Sequence, residues 1–239
     1  MGQRLSDYRL FLREFRQTFH STGAILPSGR RLSRALACKV GCGDQGQRVL
    51  EVGAGTGAVT AQIVAKLGPE DRLDLVELNE RFAEVLERRL QREESWQRVA
   101  DRVRVLQMPV EELDQDRRYD VIVSGLPLNN FSCEVVEQIL GQFHRLAARG
   151  ASLSFFEYVA IRKAKALCAK TAERRRLTGI ETILRRELDA WEVDRDCVLA
   201  NVPPAWVHHL RLPGEKSQVA GQESRVVGSE VTPITDPGH

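Results

Sequence analysis

Cysteine is present without a framework. The five copies, Cys38, Cys42, Cys133, Cys168 and Cys197, fall at irregular intervals. That spacing excludes a disulfide scaffold, and Cys38-x-x-x-Cys42 lacks the matching second pair of a zinc site, so no metal is expected. Long apolar runs are missing too. None approaches the ~18 residues of a membrane span, and the start does not read as a secretory signal. The expected setting is a reduced, cytoplasmic one. Net charge is scarce, at +2, which is too little to argue for nucleic acid. No internal repeat is found. What remains is 239 residues, 42% of them apolar, enough for one α/β domain with short additions.

The small net charge hides an uneven distribution. Residues 1–46 carry eight basic residues against three acids, and residues 160–188 carry nine against three. Two basic zones on an otherwise acidic chain suggest one shared anionic partner.

The most informative segment is Leu50-Glu51-Val52-Gly53-Ala54-Gly55-Thr56-Gly57. An apolar strand ends in a glycine-rich turn and feeds a helix near Ala58 to Leu67. Glycines let the chain turn where a Cβ would obstruct it, and they let backbone N–H groups approach a ligand. About twenty residues on, Leu73-Asp74-Leu75-Val76-Glu77 ends in an acid placed to accept ribose hydroxyls, with Leu78 beside it. The pattern E-x-G-x-G-x-G differs from the G-x-G-x-x-G of dinucleotide folds. It resembles motif I of class I S-adenosylmethionine (SAM) methyltransferases, in which the strand-end acid lies near the cationic methionine end. Glu51 would repel a pyrophosphate but not a sulfonium.

Hydrophobic periodicity predicts strands near 48–52, 72–77, 102–106, 119–124, 151–157, 193–199 and 205–211, with helices between them, notably at Glu80–Gln91 and Cys133–Ala147. Alternation of this kind implies a class I methyltransferase (Rossmann-like) α/β doubly wound sheet, mostly parallel with one antiparallel edge strand. The division expected is an N-terminal helix and cap over 1–46, a SAM-binding domain over 47–212 with a helical insertion at about 159–188, and a disordered tail over 213–239. Over residues 6–20, Tyr8, Phe11, Leu12, Phe15 and Phe19 form one stripe, flanked by Arg9, Arg13 and Arg16. Either this N-terminal amphipathic helix packs on the domain, or it lies at a lipid interface with its arginines reaching phosphates.

A second motif, Ser124-Gly125-Leu126-Pro127-Leu128-Asn129-Asn130-Phe131, follows the fourth strand. In this fold that loop lies beside the transferable methyl. Adenine N6-methyltransferases place an aromatic after the proline to stack on the base. Leu128 stands there instead and forfeits a contact worth ~1–3 kcal/mol.

Taken with Gly23-Ala24-Ile25-Leu26-Pro27-Ser28 and Asn201-Val202-Pro203-Pro204-Ala205-Trp206-Val207, these motifs resemble, in order, the soluble bacterial phospholipid N-methyltransferases. Those enzymes are related to rRNA adenine dimethyltransferases but act on phosphatidylethanolamine. The resemblance covers about residues 5–212. It implies that Glu51, Gly53, Gly55, Gly57, Glu77 and Leu78 hold SAM. It also implies that Ser124, Gly125, Leu126 and Pro127 flank the methyl, and that the chain docks as a peripheral protein on the inner face of the cell membrane. An anionic or amino-phospholipid surface would be met through residues 6–20 and the basic insertion.

Two departures stand out. Pro109 replaces an Asp that often holds the adenine amino group, leaving Glu111 or a backbone amide as candidate substitutes. The stretch after the fifth strand is Phe156-Glu157-Tyr158. Methyl transfer to an amine is an in-line displacement that needs alignment and a dry site, and the amine must shed its proton. Tyr158, Glu157 or water are the candidate acceptors, and Tyr158 reads equally well as a core aromatic. The alternatives to an amino-lipid enzyme are an RNA adenine methyltransferase, and a SAM-fold protein that binds a membrane or partner without catalysis.

Overall fold

The structure, a computed structural model, describes residues 29–43, 45–114, 116–158, 171–199, 201 and 203–214. The stripe at 6–20, the Gly23–Ser28 segment, the start of the insertion (159–170) and residues 215–239 lie outside the described residues.

Seven strands form one sheet: β1 (Arg48–Val52), β2 (Arg72–Val76), β3 (Val103–Leu106), β4 (Tyr119–Ser124), β5 (Ala147–Tyr158), β6 (Glu192–Val198) and β7 (Ala205–Arg211). Their order is β3-β2-β1-β4-β5-β7-β6. Strands β1 to β5 pair in parallel. The expected antiparallel edge takes the form of a β6–β7 hairpin. β7 runs against both β5 and β6, one place in from the rim, and β6 is outermost. The outer strand carries Asp194, Arg195 and Asp196, all exposed. Charge on an unpaired edge discourages pairing with another sheet.

The helices are α1 (Arg30–Leu36), α2 (Thr60–Val64), α3 (Glu80–Arg92), α4 (Glu94–Gln97), α5 (Cys133–Leu146) and α6 (Thr171–Trp191). Their starts are written locally. Asn79 caps α3 by accepting from the Phe82 amide (3.2 Å), and Ser132 caps α5 by accepting from Val135 (3.4 Å). α2 is shorter than the pattern over Ala58–Leu67 suggests, and β5 begins at Ala147, where the helix was expected to end.

Strand alternation sends successive side chains to opposite faces and so divides the core in two. Leu50, Val52, Ile122, Leu153 and Phe155 face α5 and α6. Val49, Leu73, Leu75, Val121, Val123 and Val207 face α1, α2 and the Trp96 indole. The strand order reverses between β1 and β4. In such sheets the crevice opens there, at the carboxyl ends.

Candidate active site

The turn after β1 is built from three residues in the left-handed region: Gly53 (φ 75°), Gly55 (φ 60°) and Gly57 (φ 85°). Each is glycine for a separate reason. A Cβ at Gly53 would lie 2.6 Å from Leu126 Cδ2, and one at Gly57 would lie 2.8 Å from both Arg89 and Trp96. One at Gly55 meets nothing within 4 Å. Gly55 therefore faces open space, as the floor of a ligand cradle must. Behind the turn, Arg89 donates to the carbonyls of Thr56 (2.9 Å) and Gly57 (3.1 Å) and is held by Glu93.

Two buried acids flank this turn. Glu77, fully buried, accepts from the Gly55 amide (2.8 Å) and from the Asn79 amide (2.7 Å). A carboxylate is an acceptor only, the kind of group a ribose hydroxyl meets. Glu51 is also fully buried. Its Oε2 accepts from the Thr60 hydroxyl at 2.7 Å, while Oε1 has no partner among the described residues. Desolvation, reinforced by the Glu77 charge, pushes its pKa up to about 8 despite the Thr60 hydrogen bond. A cation brought beside Glu51 would relieve that penalty. The open cradle and the orphaned acid oxygen fit a ligand with a ribose at one end and a cationic group at the other.

The loop after β4 is pressed onto the first turn. The Gly125 amide donates to Val52 (2.9 Å), and a Cβ at Gly125 would sit 2.7 Å from the Gly53 carbonyl oxygen. Ser124 is buried, its hydroxyl accepting from the Leu126 amide (3.3 Å). Leu126 and Leu128 are buried in the core, as is Phe131. The loop therefore offers its backbone, with Pro127 leading into a short 3-10 turn (Leu128–Asn130). From α6, Arg176 donates to the carbonyls of Asn129 (3.1 Å) and Phe131. Asn129 Oδ1 is buried with no partner among the described residues.

Around the rim, Leu78 packs on the α5 side of the core. Glu111 sits in the 3-10 turn (Val110–Glu112) that Pro109 caps. Burial raises its pKa, and its Oε2 has no partner among the described residues. β5 extends past the end of β4. There, strand alternation sends Glu157 and Tyr158 to opposite faces, so the two cannot serve one atom together. Tyr158 stands edge-on to Phe156 (5.0 Å, 70°), and burial raises its pKa. A phenol held protonated can orient an amine but is a poor proton acceptor.

At the same end of the sheet, the Gly29 amide donates to Asn201 Oδ1 (3.1 Å), in the β6–β7 connection. The start of α1 and the β6–β7 connection thus meet at the crevice side, with Arg30 and Arg31 exposed beside the junction. Sequence reasoning did not single out Thr60, Arg89 or Arg176. Thr60 alone had a signal, a hydroxyl one turn beyond the last glycine, while the two arginines act from helices with no motif.

A methyltransferase-domain family model matches residues 49–150. The ornithine lipid N-methyltransferase of Singulisphaera acidiphila is 29% identical over 152 residues, covering 59% of this chain and 78% of its own. In fold, the chain is similar to the 1,6-didemethyltoxoflavin-N1-methyltransferase of Burkholderia thailandensis (TM-score 0.60, 18% identity, 88% of this chain and 90% of that one). It is also similar to the O-methyltransferase TomG of Streptomyces achromogenes, solved with SAM (TM-score 0.57, 15% identity, 84% and 89%). The fold is the Rossmann-like methyltransferase fold, and the matched residues 49–150 form a methyltransferase domain whose crevice suits S-adenosylmethionine: the protein is a SAM-dependent methyltransferase.

Proposed function

We propose that this enzyme transfers the methyl group of SAM to the primary amine of an amino-lipid head group, of the phosphatidylethanolamine or ornithine-lipid kind, at a membrane surface. The observation that carries this reading is the loop after β4. It turns Leu126, Leu128 and Phe131 into the core and leaves backbone and Asn129 to meet the acceptor. A flexible amine needs such hydrogen-bond acceptors, whereas a flat base would need a ring to stack on. The named activity of the Singulisphaera relative supports the same reading.

In this scheme Gly53, Gly55 and Gly57 cradle the cofactor, Glu77 takes its ribose, and Glu51 faces the sulfonium end. Leu78 and Glu111 border the adenine. Ser124, Gly125, Leu126 and Pro127 set the loop whose carbonyls, with Asn129 Oδ1, orient the amine. Tyr158 lines the approach. Bound SAM supplies an electrophilic methyl. The chain supplies alignment and exclusion of water, which is most of what such a displacement requires.

Membrane contact would begin at the crevice rim, since Gly29, the residue that follows the 1–28 segment, is fastened there. α6 adds exposed Arg174, Arg175, Arg185 and Arg186. No described helix is long and apolar enough to cross a membrane.

The test is incubation of the full chain with methyl-labelled SAM and vesicles containing phosphatidylethanolamine or ornithine lipid, with bulk RNA in parallel. Label in lipid supports the proposal. Label in RNA alone, or in neither, overturns it. Co-sedimentation with anionic vesicles tests the surface separately.

A further inference from the structure

Three residues from distant parts of the chain converge beneath α1. Cys38 lies in the turn after that helix, Asp196 on β6 and His209 on β7. One ligand atom from each lies within 4.8 Å of the others. His209 Nε2 is 3.6 Å from Cys38 Sγ and 3.3 Å from Asp196 Oδ2. Around a tetrahedral zinc ion, bond lengths of about 2.3 Å to sulfur and about 2.0–2.2 Å to nitrogen and oxygen imply separations near ~3.5 Å for S···N and ~3.3 Å for N···O. The observed separations match both.

We propose that Cys38 Sγ, His209 Nε2 and Asp196 Oδ2 form a binding site for a zinc-like divalent ion that pins the end of α1 to the β6–β7 hairpin.

The surroundings support it. His209 is fully buried, and its Nδ1 meets the Ser154 hydroxyl at 2.8 Å. With Nδ1–H donating to Ser154, Nε2 is left as the ligating nitrogen; Cys38 Sγ stands beside the ring, 3.6 Å from Nε2 and 3.9 Å from Nδ1, so the thiol swings toward the Nε2 lone pair when an ion binds. Metal-binding histidines are commonly oriented in this way by a partner on the other nitrogen. A cavity of about 770 Å³ lined by Arg31, Arg34, Cys38, Asp196 and Cys197 gives access to the fourth position. Two arginines in its lining disfavour a hard cation held by charge alone and favour a soft one held by directed bonds to sulfur and nitrogen. Binding replaces the Cys38 S–H bond with a metal–sulfur bond, and the proton leaves to buffer.

The expectation of no metal rested on paired cysteines close in sequence. These ligands are 158 and 171 positions from Cys38 and are joined only by folding. Glu51 lies three strands away across the sheet, so the proposed ion has no part in methyl transfer.

A metal-free pairing competes with this one: Nε2–H donating to Asp196, with the Ser154 hydroxyl donating to Nδ1. Titrating reduced, chelator-treated full-length protein with Co²⁺ separates them. The proposal expects a thiolate-to-cobalt charge-transfer band saturating at one equivalent and displaced by Zn²⁺. Cys38→Ala should lose the band, Asp196→Asn and Ser154→Ala should weaken binding about tenfold or more, and Cys42→Ala should leave the band in place. Zn²⁺ should also raise the melting temperature of the wild type more than that of Asp196→Asn, a surface change expected to fold normally. No charge-transfer band in the wild type, or a band undiminished in both Cys38→Ala and Asp196→Asn, overturns the proposal. SAM binding measured on the same samples reports separately on the methyltransferase site.

Discussion

The Gly55 amide donates to Glu77 Oε2 across 2.8 Å, so the turn after β1 and the tip of β2 form one rigid unit. Removing the acceptor should loosen the turn as well as delete the proposed ribose partner. Glu77→Ala is expected to weaken SAM binding by about 10- to 100-fold by calorimetry, the worth of one or two charged hydrogen bonds. Glu77→Gln keeps one acceptor oxygen and should lose less.

Glu51 predicts a pH dependence with a definite sign. Its pKa is raised in the fold from 4.5 to about 8, so the native state holds a proton that the unfolded chain releases. Stability of the ligand-free protein should fall as pH rises through that window, by up to about 1.4 kcal/mol per pH unit from this group. Glu51→Gln, which cannot ionise, should flatten that fall in thermal melts.

The same group acts oppositely on the cofactor. A sulfonium beside Glu51 favours its ionised form, so SAM affinity should strengthen as pH approaches about 8 and then level off. In Glu51→Gln that rise should be missing. Calorimetry at several pH values checks it, and an unchanged rise in the variant would remove Glu51 from the sulfonium end.

Two glycines should fail differently. Gly125→Ala drives a Cβ to 2.7 Å from the Gly53 carbonyl oxygen, where only backbone movement gives relief. It should cost about 1–3 kcal/mol in denaturant unfolding and most of the activity. Gly55→Ala has room and should cost only the left-handed strain of about 1–2 kcal/mol. Its methyl would project into the cradle and weaken SAM binding.

Arg176 holds the loop after β4 through the Asn129 and Phe131 carbonyls. Arg176→Ala should lower kcat about ten- to a hundredfold through misalignment and leave the SAM dissociation constant nearly unchanged. A parallel loss of SAM affinity would show that the loop and cradle move together.

The central strands β1 to β4 were legible because each carries a short apolar run bounded by turns, and their alternation with helices left one architecture. The glycine turn after β1 was legible because left-handed turns require glycine and leave it at fixed spacing. Register and order were not. That β7 slips between β5 and β6 depends on antiparallel pairing between segments roughly fifty residues apart, for which local pattern holds no record. Arg89, Arg176 and the Cys38–Asp196–His209 group were hidden for the same reason: each acts on residues at least thirty positions away. Tyr158 and Glu157 look like equivalent neighbours in sequence, and only the pleat of β5 separates them.

Because β7 runs against the strand beside it, the chain leaves the sheet at the pole opposite its glycine turn. Gly214 ends packed on Arg149, while Gly29 is tied to Asn201 at the other pole. A fluorophore or surface tether joined beyond residue 214 would hang from the far side and leave the mouth clear, whereas cargo joined ahead of residue 29 would crowd the doorway.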